Sequence, residues 1–458
     1  MNLVIEVNIM VSLSVLILIE VFLFCFAYYF SEHDIMSPSC MMCIMFIIST
    51  TFALLNVNNW KVNFSFNTTA LIGSGLLVYV LAEIFFRYVF CGQLHGKLYV
   101  QNEYDNSELI IKPIILDAMI AFNAVVVFLY LKSIISIVGG NMTNLNSYFH
   151  AYRVMGINSM QYQGTSITNG SINFLLRFVV SSGYLAAFIG MRNMVTKNAK
   201  KSVQLRYAII VILSLMPSLM TGGRTGILRM FAALLIYYYI CWHQINGWDK
   251  NLSMKYIRIG LFSFFIIAPA FYFSLEMLGR ATNRTIIDYI SDYLASSICL
   301  LDQYLKSPVP CVSWGEESLV GVKKLLSSLG LGELSTKYNL EFRHLGIGES
   351  NVYTFFRRPL HDFGYGGMYV FVVLVAFFFA WMYYKKIKYK SYQKSAGWTI
   401  AYGYFYYWIM CSSIVQYSAN MISLGAVIQI GIAVIGYKLF VIVGKSKRRI
   451  NFQKVRDR

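Results

Sequence analysis

"NVYTFFRRPLHDFGYGGMYVFVVLVAFFFAWMYY", residues 351–384, sets a polar, arginine-bearing segment directly against an apolar run. From about residue 366 the run is long enough to cross a hydrocarbon core as a helix. Ahead of it stand Arg357, Arg358, His361 and Asp362. So much charge at the edge of lipid points to chemistry carried out where a hydrophilic loop meets a membrane span.

The rest of the chain agrees. Of 458 residues, 57% are hydrophobic and only 13% charged, with a mean hydropathy of +0.56, a balance foreign to a water-soluble globular protein of this size. The expected fold is therefore an all-α polytopic integral membrane protein. About eleven spans are predicted, at roughly 8–30, 38–58, 69–90, 113–136, 174–194, 207–222, 226–243, 258–275, 366–384, 397–417 and 422–443. The first run is longer than a signal-peptide core and no small-residue cleavage site follows it, so it reads as a retained helix. "TGGRTG", residues 221–226, splits an almost continuous apolar stretch, because a charged glycine-rich hexapeptide suits a turn better than lipid.

Sixteen of the eighteen net positive charges lie in three short segments, 192–206, 385–394 and the tail from 445. By the positive-inside rule these are cytoplasmic, which explains the basic balance without nucleic acid. Counting back from a cytoplasmic C-terminus puts the loops 137–173 and 276–365 outside. The chain thus divides into helices 1–8 within 1–275, a large external loop 276–365, three further spans within 366–444 and a basic tail 445–458.

Residues 276–362 hold nine Lys/Arg against ten Asp/Glu, and a loop so long has structure or function of its own. "IIDYISDYLASSICLLDQYL", residues 286–305, predicts an amphipathic helix outside the bilayer, with Asp288, Asp292 and Asp302 together on a solvated face. Residues 318–329 predict a second, shorter one. Most of the cysteines lie in or beside apolar runs, so Cys40 and Cys43 read as small apolar residues. Cys299 and Cys311 share the external loop, but Cys299 falls on the apolar part of its helix, which argues against a disulfide.

Several arginines gather at the predicted outer mouth: Arg224, Arg280, Arg284, Arg343, Arg357 and Arg358. The planar guanidinium fork suits phosphate oxygens, so the cluster points to a lipid-linked phosphate or diphosphate. Arg224 stands among Gly222, Gly223 and Gly226, which let backbone N–H groups approach an anion. No P-loop lysine, dinucleotide fingerprint or DxD pair is present, so the expected donor is membrane-borne, with no metal and no cofactor.

The sequence resembles the Wzy-type oligosaccharide repeat-unit polymerases, or O-antigen polymerases. The likeness lies in "DIMSPSCMMCIMFIISTTFALLN" (34–56), "GGN" (139–141), "TGGRTGIL" (221–228) and, most of all, "SNVYTFFRRPLHDFGYGG" (350–367). The family pattern often has one arginine before the proline, whereas here Arg357 and Arg358 both precede Pro359, leaving open which of them faces a diphosphate. The resemblance implies a glycosyltransferase C-type fold in the bacterial inner membrane. It also implies transfer of a polyprenyl-diphosphate-linked glycan to a sugar hydroxyl of an incoming lipid-linked repeat unit on the periplasmic face, alongside a separate chain-length regulator.

For that reaction Arg224, Arg280, Arg284, Arg357 and Arg358 are the diphosphate-binding candidates, since fixed cations stabilise a leaving diphosphate. His344, His361, Glu349 and Asp362 are candidates for the base that takes the acceptor's proton, with His344 ranked ahead of His361 because it lies within the loop. Asn351 and Tyr353 are the candidate sugar contacts. Tyr353, Phe355 and Phe356 form either a stacking surface or part of an interfacial aromatic belt. Asp362 has a second reading, as N-cap of a helix starting at Phe363. The alternative functions are an O-antigen ligase, a lipid-linked oligosaccharide flippase or other transporter, and a non-catalytic scaffold.

Overall fold

The computed structural model describes residues 3–60, 62, 64–92, 108–139, 144–162, 168–197, 200–223, 225–250, 285–332, 334–346 and 348–443. The expected span at 258–275 and the basic tail lie outside them. In chain order the elements are α1 (Leu3–Phe30), α2 (Pro38–Leu55), the single turn α3 (Val57–Trp60), α4 (Phe66–Cys91), β1 (Leu109–Ile111), α5 (Pro113–Val138), α6 (Leu145–Tyr162), α7 (Gly170–Thr196), α8 (Lys201–Met220) and α9 (Thr225–Asn246). After the large loop begins come α10 (Ile286–Lys306), α11 (Val320–Ser328), β2 (Arg343–Leu345), β3 (Gly348–Ser350), α12 (Arg357–Ala380, running on as a π-helical stretch Trp381–Ile387), α13 (Tyr392–Met410), the turn α14 (Ser418–Met421), α15 (Leu424–Phe440) and β4 (Val441–Val443).

Eight of these helices are long and apolar enough to cross a membrane among the described residues: α1, α2, α4, α5, α7, α8, α9 and the continuous α12 with its π-helical extension. They hold a common core and turn large apolar side chains such as Leu18, Phe22, Phe85, Phe128 and Leu374 outward. Outward-facing leucine and phenylalanine on long helices fit lipid as solvent, and the chain is an all-α membrane-embedded protein.

Two expected spans come out shorter. The 397–417 run is the 19-residue α13, which ends at Met410 in a turn through 411–417, and α15 is a 17-residue helix that gives way to β4. The polar stretch "CSSIVQYSAN" (411–420) explains the interruption, because its hydroxyl and amide groups hydrogen-bond locally instead of continuing a helix.

The "TGGRTG" turn does separate two helices. α8 ends at Met220, Gly222 takes φ +65°, a left-handed conformation that glycine adopts without strain, and α9 begins at Thr225.

The last long helix begins earlier than expected. α12 starts at Arg357, not Phe363, and Gly364 (φ 67°, ψ −173°) breaks it two residues after Asp362. Pro359 is its third residue, where no intrahelical N–H is missed. Arg357, Arg358, His361 and Asp362 therefore lie on a helical turn, paired at i and i+4, with the membrane-crossing part following the break.

Packing places this turn. α4 lies along α12, α1 against α2 and α4, α9 against α13, and α7 against α8, α9 and α15. α10 packs against α2; Asp288 and Asp292 keep partial exposure, but Asp302 does not face water as expected. Asp302 is fully buried and accepts from Ser65 N (2.8 Å), Ser65 Oγ (2.6 Å) and Thr68 Oγ1 (2.6 Å), capping α4. Cys299 is buried, Cys311 is exposed, and both are free thiols. At the far end of the bundle β1 pairs antiparallel with β4, Leu109 opposite Val443.

Candidate functional site

The end of the bundle where α12 begins gathers most of the described candidates. Arg357 is fully buried, its Nη1 donating to Glu317 Oε2 (2.8 Å) and its Nη2 to both oxygens of Glu341 (2.7 and 2.9 Å). Its guanidinium lies 3.9 Å from the Tyr304 ring centroid and 5.2 Å from that of Tyr353. Arg358 donates instead to backbone carbonyls, of Glu317 and Tyr338, at 2.8 Å each. One turn on, His361 Nε2 meets Glu316 Oε1 at 3.0 Å and its Nδ1 meets the Tyr304 hydroxyl at 3.2 Å. Asp362 accepts from the backbone N–H groups of Glu317 (3.1 Å) and Ser318 (2.6 Å).

One face of a short helical turn thus clamps segment 316–318 through two arginines, a histidine and an aspartate. Asp362 caps that segment rather than its own helix. Burial by itself would raise the Glu316 carboxyl, but hydrogen bonds from His361 and from the N–H groups of Val312 and Ser313 outweigh it and hold the group below its usual value. Glu341 is likewise held low, the cost of burial being overcome chiefly by the Arg357 charge.

Donor atoms of Cys311, His361 and Asp362 fall within 4.8 Å of one another. Both ring nitrogens of His361 and both oxygens of Asp362 are already engaged, and the Cys311 thiol donates to the Ser313 carbonyl at 3.4 Å. A metal there would have to displace the clamp.

The second group is more open. β2 and β3 form a hairpin that places His344 directly opposite Glu349, so the two exposed side chains share a face. His344 lines a cavity of about 540 Å³ with Asn59, Trp60, Gln303 and Lys306 among its walls. The Gln303 amide donates to the His344 carbonyl at 2.9 Å, fixing the hairpin on α10. Arg343, at the hairpin's start, donates to the Gln303 and Ser307 carbonyls.

Tyr353 is buried, with its hydroxyl donating to the Glu341 carbonyl (3.2 Å), and Phe355 and Phe356 are completely buried in the core. Asn351 is half-buried just before them. Arg224, Arg280 and Arg284 lie outside the described residues, although the turn that carries Arg224 is fixed on either side. Ser218 Oγ donates to the Gly223 carbonyl at 2.8 Å, and Arg153 of α6 donates to the Gly222 carbonyl.

Sequence reasoning missed Glu316, Glu317, Glu341 and Tyr304 as partners of the arginine pair and of His361. The i, i+4 spacing within "RRPLHD" signals that four polar side chains share a helical face. Nothing local names the carboxylates that meet them some 16 to 45 residues away.

Comparison with protein-family models, curated proteins and solved structures gives no match to this chain.

Proposed function

We propose that this protein is a polymerase of lipid-linked oligosaccharide repeat units, acting on polyprenyl-diphosphate substrates at the outer face of the bacterial inner membrane. An eleven-span glycosyltransferase C-type arrangement, with a cytoplasmic C-terminus and a separate chain-length regulator as partner, belongs to the same proposal.

The observation that carries it is the His344 cavity. It lies at the same end of a membrane bundle as the arginine clamp, and walls that mix Trp60, Val62 and Leu345 with Asn59, Gln303, Lys306 and His344 suit a sugar ring with a hydroxyl that must lose its proton. In the reaction the acceptor oxygen forms a bond to the donor's anomeric carbon, and the bond from that carbon to the diphosphate oxygen breaks with its electron pair. The acceptor proton passes to His344, with Glu349 opposite to stabilise the imidazolium. Negative charge grows on the departing diphosphate, where guanidinium groups lower the barrier. Arg357 and Arg358 are turned inward to carboxylates and carbonyls, so they support the site as scaffold, and the diphosphate contacts fall to Arg224, Arg280 and Arg284.

Deletion of the gene followed by gel display of the surface glycan tests this. A ladder collapsed to single repeats is the expected result. Loss of all attached glycan means a ligase instead, and an unchanged ladder ends the proposal.

A further inference from the structure

Segment 307–315, "SPVPCVSWG", carries no charge, although the stretch 276–362 around it holds nine Lys/Arg and ten Asp/Glu. Its largest apolar side chains are turned away from the protein: Val312 is 81% exposed and Trp314 69%. Tryptophan has one of the largest apolar surfaces of any side chain, so leaving it in water forgoes a sizeable gain.

The backbone of the same segment is turned the other way. Pro308 and Pro310 have no N–H to satisfy. The N–H groups of Val312 and Ser313 donate to the Glu316 carboxylate at 3.3 and 3.2 Å. A stretch that answers polar groups toward the protein and shows Val and Trp outward suits an apolar solvent.

Its place in the fold supplies that solvent. Trp314 packs on Phe363 with ring centroids 4.8 Å apart, and Phe363 stacks on Phe371 at 6.2 Å. Phe363 is the last residue before the Gly364 break, after which the membrane-crossing part of α12 begins. Directly past the break Tyr365 is 60% exposed, and Val370 and Leu374 follow it outward along the same helix. Phe66, in the first turn of the neighbouring α4, is exposed as well. Val312 and Trp314 thus extend the lipid-facing surface of α12 to the height where a span meets headgroups, the depth that tryptophan and tyrosine favour.

We propose that segment 312–314 is a membrane anchor, with Val312 and Trp314 inserted about 5–10 Å into the headgroup boundary of the leaflet at the loop end. The partner is the glycerophospholipid surface itself. The segment runs directly into Glu316, whose carboxylate meets His361 Nε2 at 3.0 Å, so the anchor seats the clamped residues 316–318 against the bilayer. The inference needs only a membrane-embedded chain and stands apart from the polymerase reading.

The test uses the full-length protein in phosphatidylcholine nanodiscs whose lipid carries bromine either near the top of the acyl chains or near their ends, since bromine quenches tryptophan only at close range. The chain has seven tryptophans, so the Trp314 signal is taken as the difference between wild type and Trp314→Phe, which keeps an aromatic ring on Phe363. That signal is expected to lose most of its intensity with bromine near the top of the chains, much less with bromine near their ends, and little on addition of aqueous iodide. Val312→Trp in the otherwise unchanged chain is expected to add a signal with the same response, so the reading does not rest on Trp314→Phe alone.

Signals quenched by iodide and untouched by either bromolipid overturn the proposal and put the segment in water. Signals shielded from iodide and bromolipid alike overturn it too, since a protein surface then covers the segment.

Discussion

Two buried charge clusters stand at opposite ends of the segment Arg357–Ile387 that α12 and its π-helical extension form. At the far end Asp34 is enclosed by Lys388 Nζ (2.8 Å), the Tyr383 hydroxyl (2.6 Å) and the Tyr239 hydroxyl (2.7 Å). Burial would raise the Asp34 carboxyl, but the Lys388 charge and hydrogen bond, with help from Tyr383, more than offset it and hold the group low. Nearby, Glu32 pairs with Arg87 at 2.7 Å. Its parts join the α1–α2 turn to the π-helical end of α12. It is a rivet.

The loop end is built differently. Its clamp is as tightly bonded, but beside it stands a cavity lined by His344. The contrast separates stability from function. At the far end the paired charges hold helices together; at the loop end similar pairs border an open cavity with room for a ligand.

The largest expected effect tests the rivet. Asp34→Asn leaves Lys388 buried without its partner and should cost about 3–5 kcal/mol, seen as a large fall in unfolding temperature in detergent. Asp34→Asn combined with Lys388→Met should recover much of the loss, and failure to recover would mean that Asp34 acts through its tyrosines instead.

At the loop end Arg357→Gln leaves Glu317 and Glu341 the longer ion pairs, to Lys337 at 3.5 and 3.9 Å and to Arg343 at 3.6 Å, and should cost about 3 kcal/mol or slightly less, since Glu341 also keeps some contact with water. Conversion of Arg357 to Gln together with Glu317 to Gln should be milder than the sum of the two single changes. Additive losses would show that the clamp is not one network.

Acid provides a smaller effect. Glu316 has its carboxyl held below the usual value, so its contribution is fully present above about pH 4.3, the ordinary glutamate range, and fades as pH falls through the lowered folded value. The difference in unfolding temperature between wild type and Glu316→Gln should be constant from pH 7 to 5 and shrink below about pH 4. A difference that shrinks between pH 7 and 5 would contradict the assigned ionisation.

The smallest concerns Asp302. As the cap of α4, its change to Ala should cost about 1–2 kcal/mol, whereas an aspartate on a solvated face would stay within about 0.5 kcal/mol of wild type.

These residues also show where the sequence was legible. Eight expected spans match long apolar helices because a run of some twenty apolar residues has one solution in lipid. The "TGGRTG" turn could be placed because glycine and charge together break such a run. The helical turn 357–362 was hidden by its own polarity, since "RRPLHD" lacks the apolar period that marks a helix. Asp302 misled for the opposite reason: its helix is amphipathic, but Asp302 itself meets the start of α4 rather than water. Asp34 and Lys388, 354 residues apart, are joined by tertiary packing that no local pattern encodes.

The most direct measurement compares the two ends in one host. A strain lacking the gene is complemented with His344→Ala, Arg224→Ala or Asp34→Asn, and glycan ladder length is normalised to the amount of protein in the membrane. His344→Ala and Arg224→Ala should shorten the ladder to single repeats at normal protein levels, while Asp34→Asn should lower protein level and leave polymer per molecule unchanged. Full ladders from both loop-end variants, with polymer per molecule lost in Asp34→Asn, would contradict the division of the molecule into a working end and a riveted one.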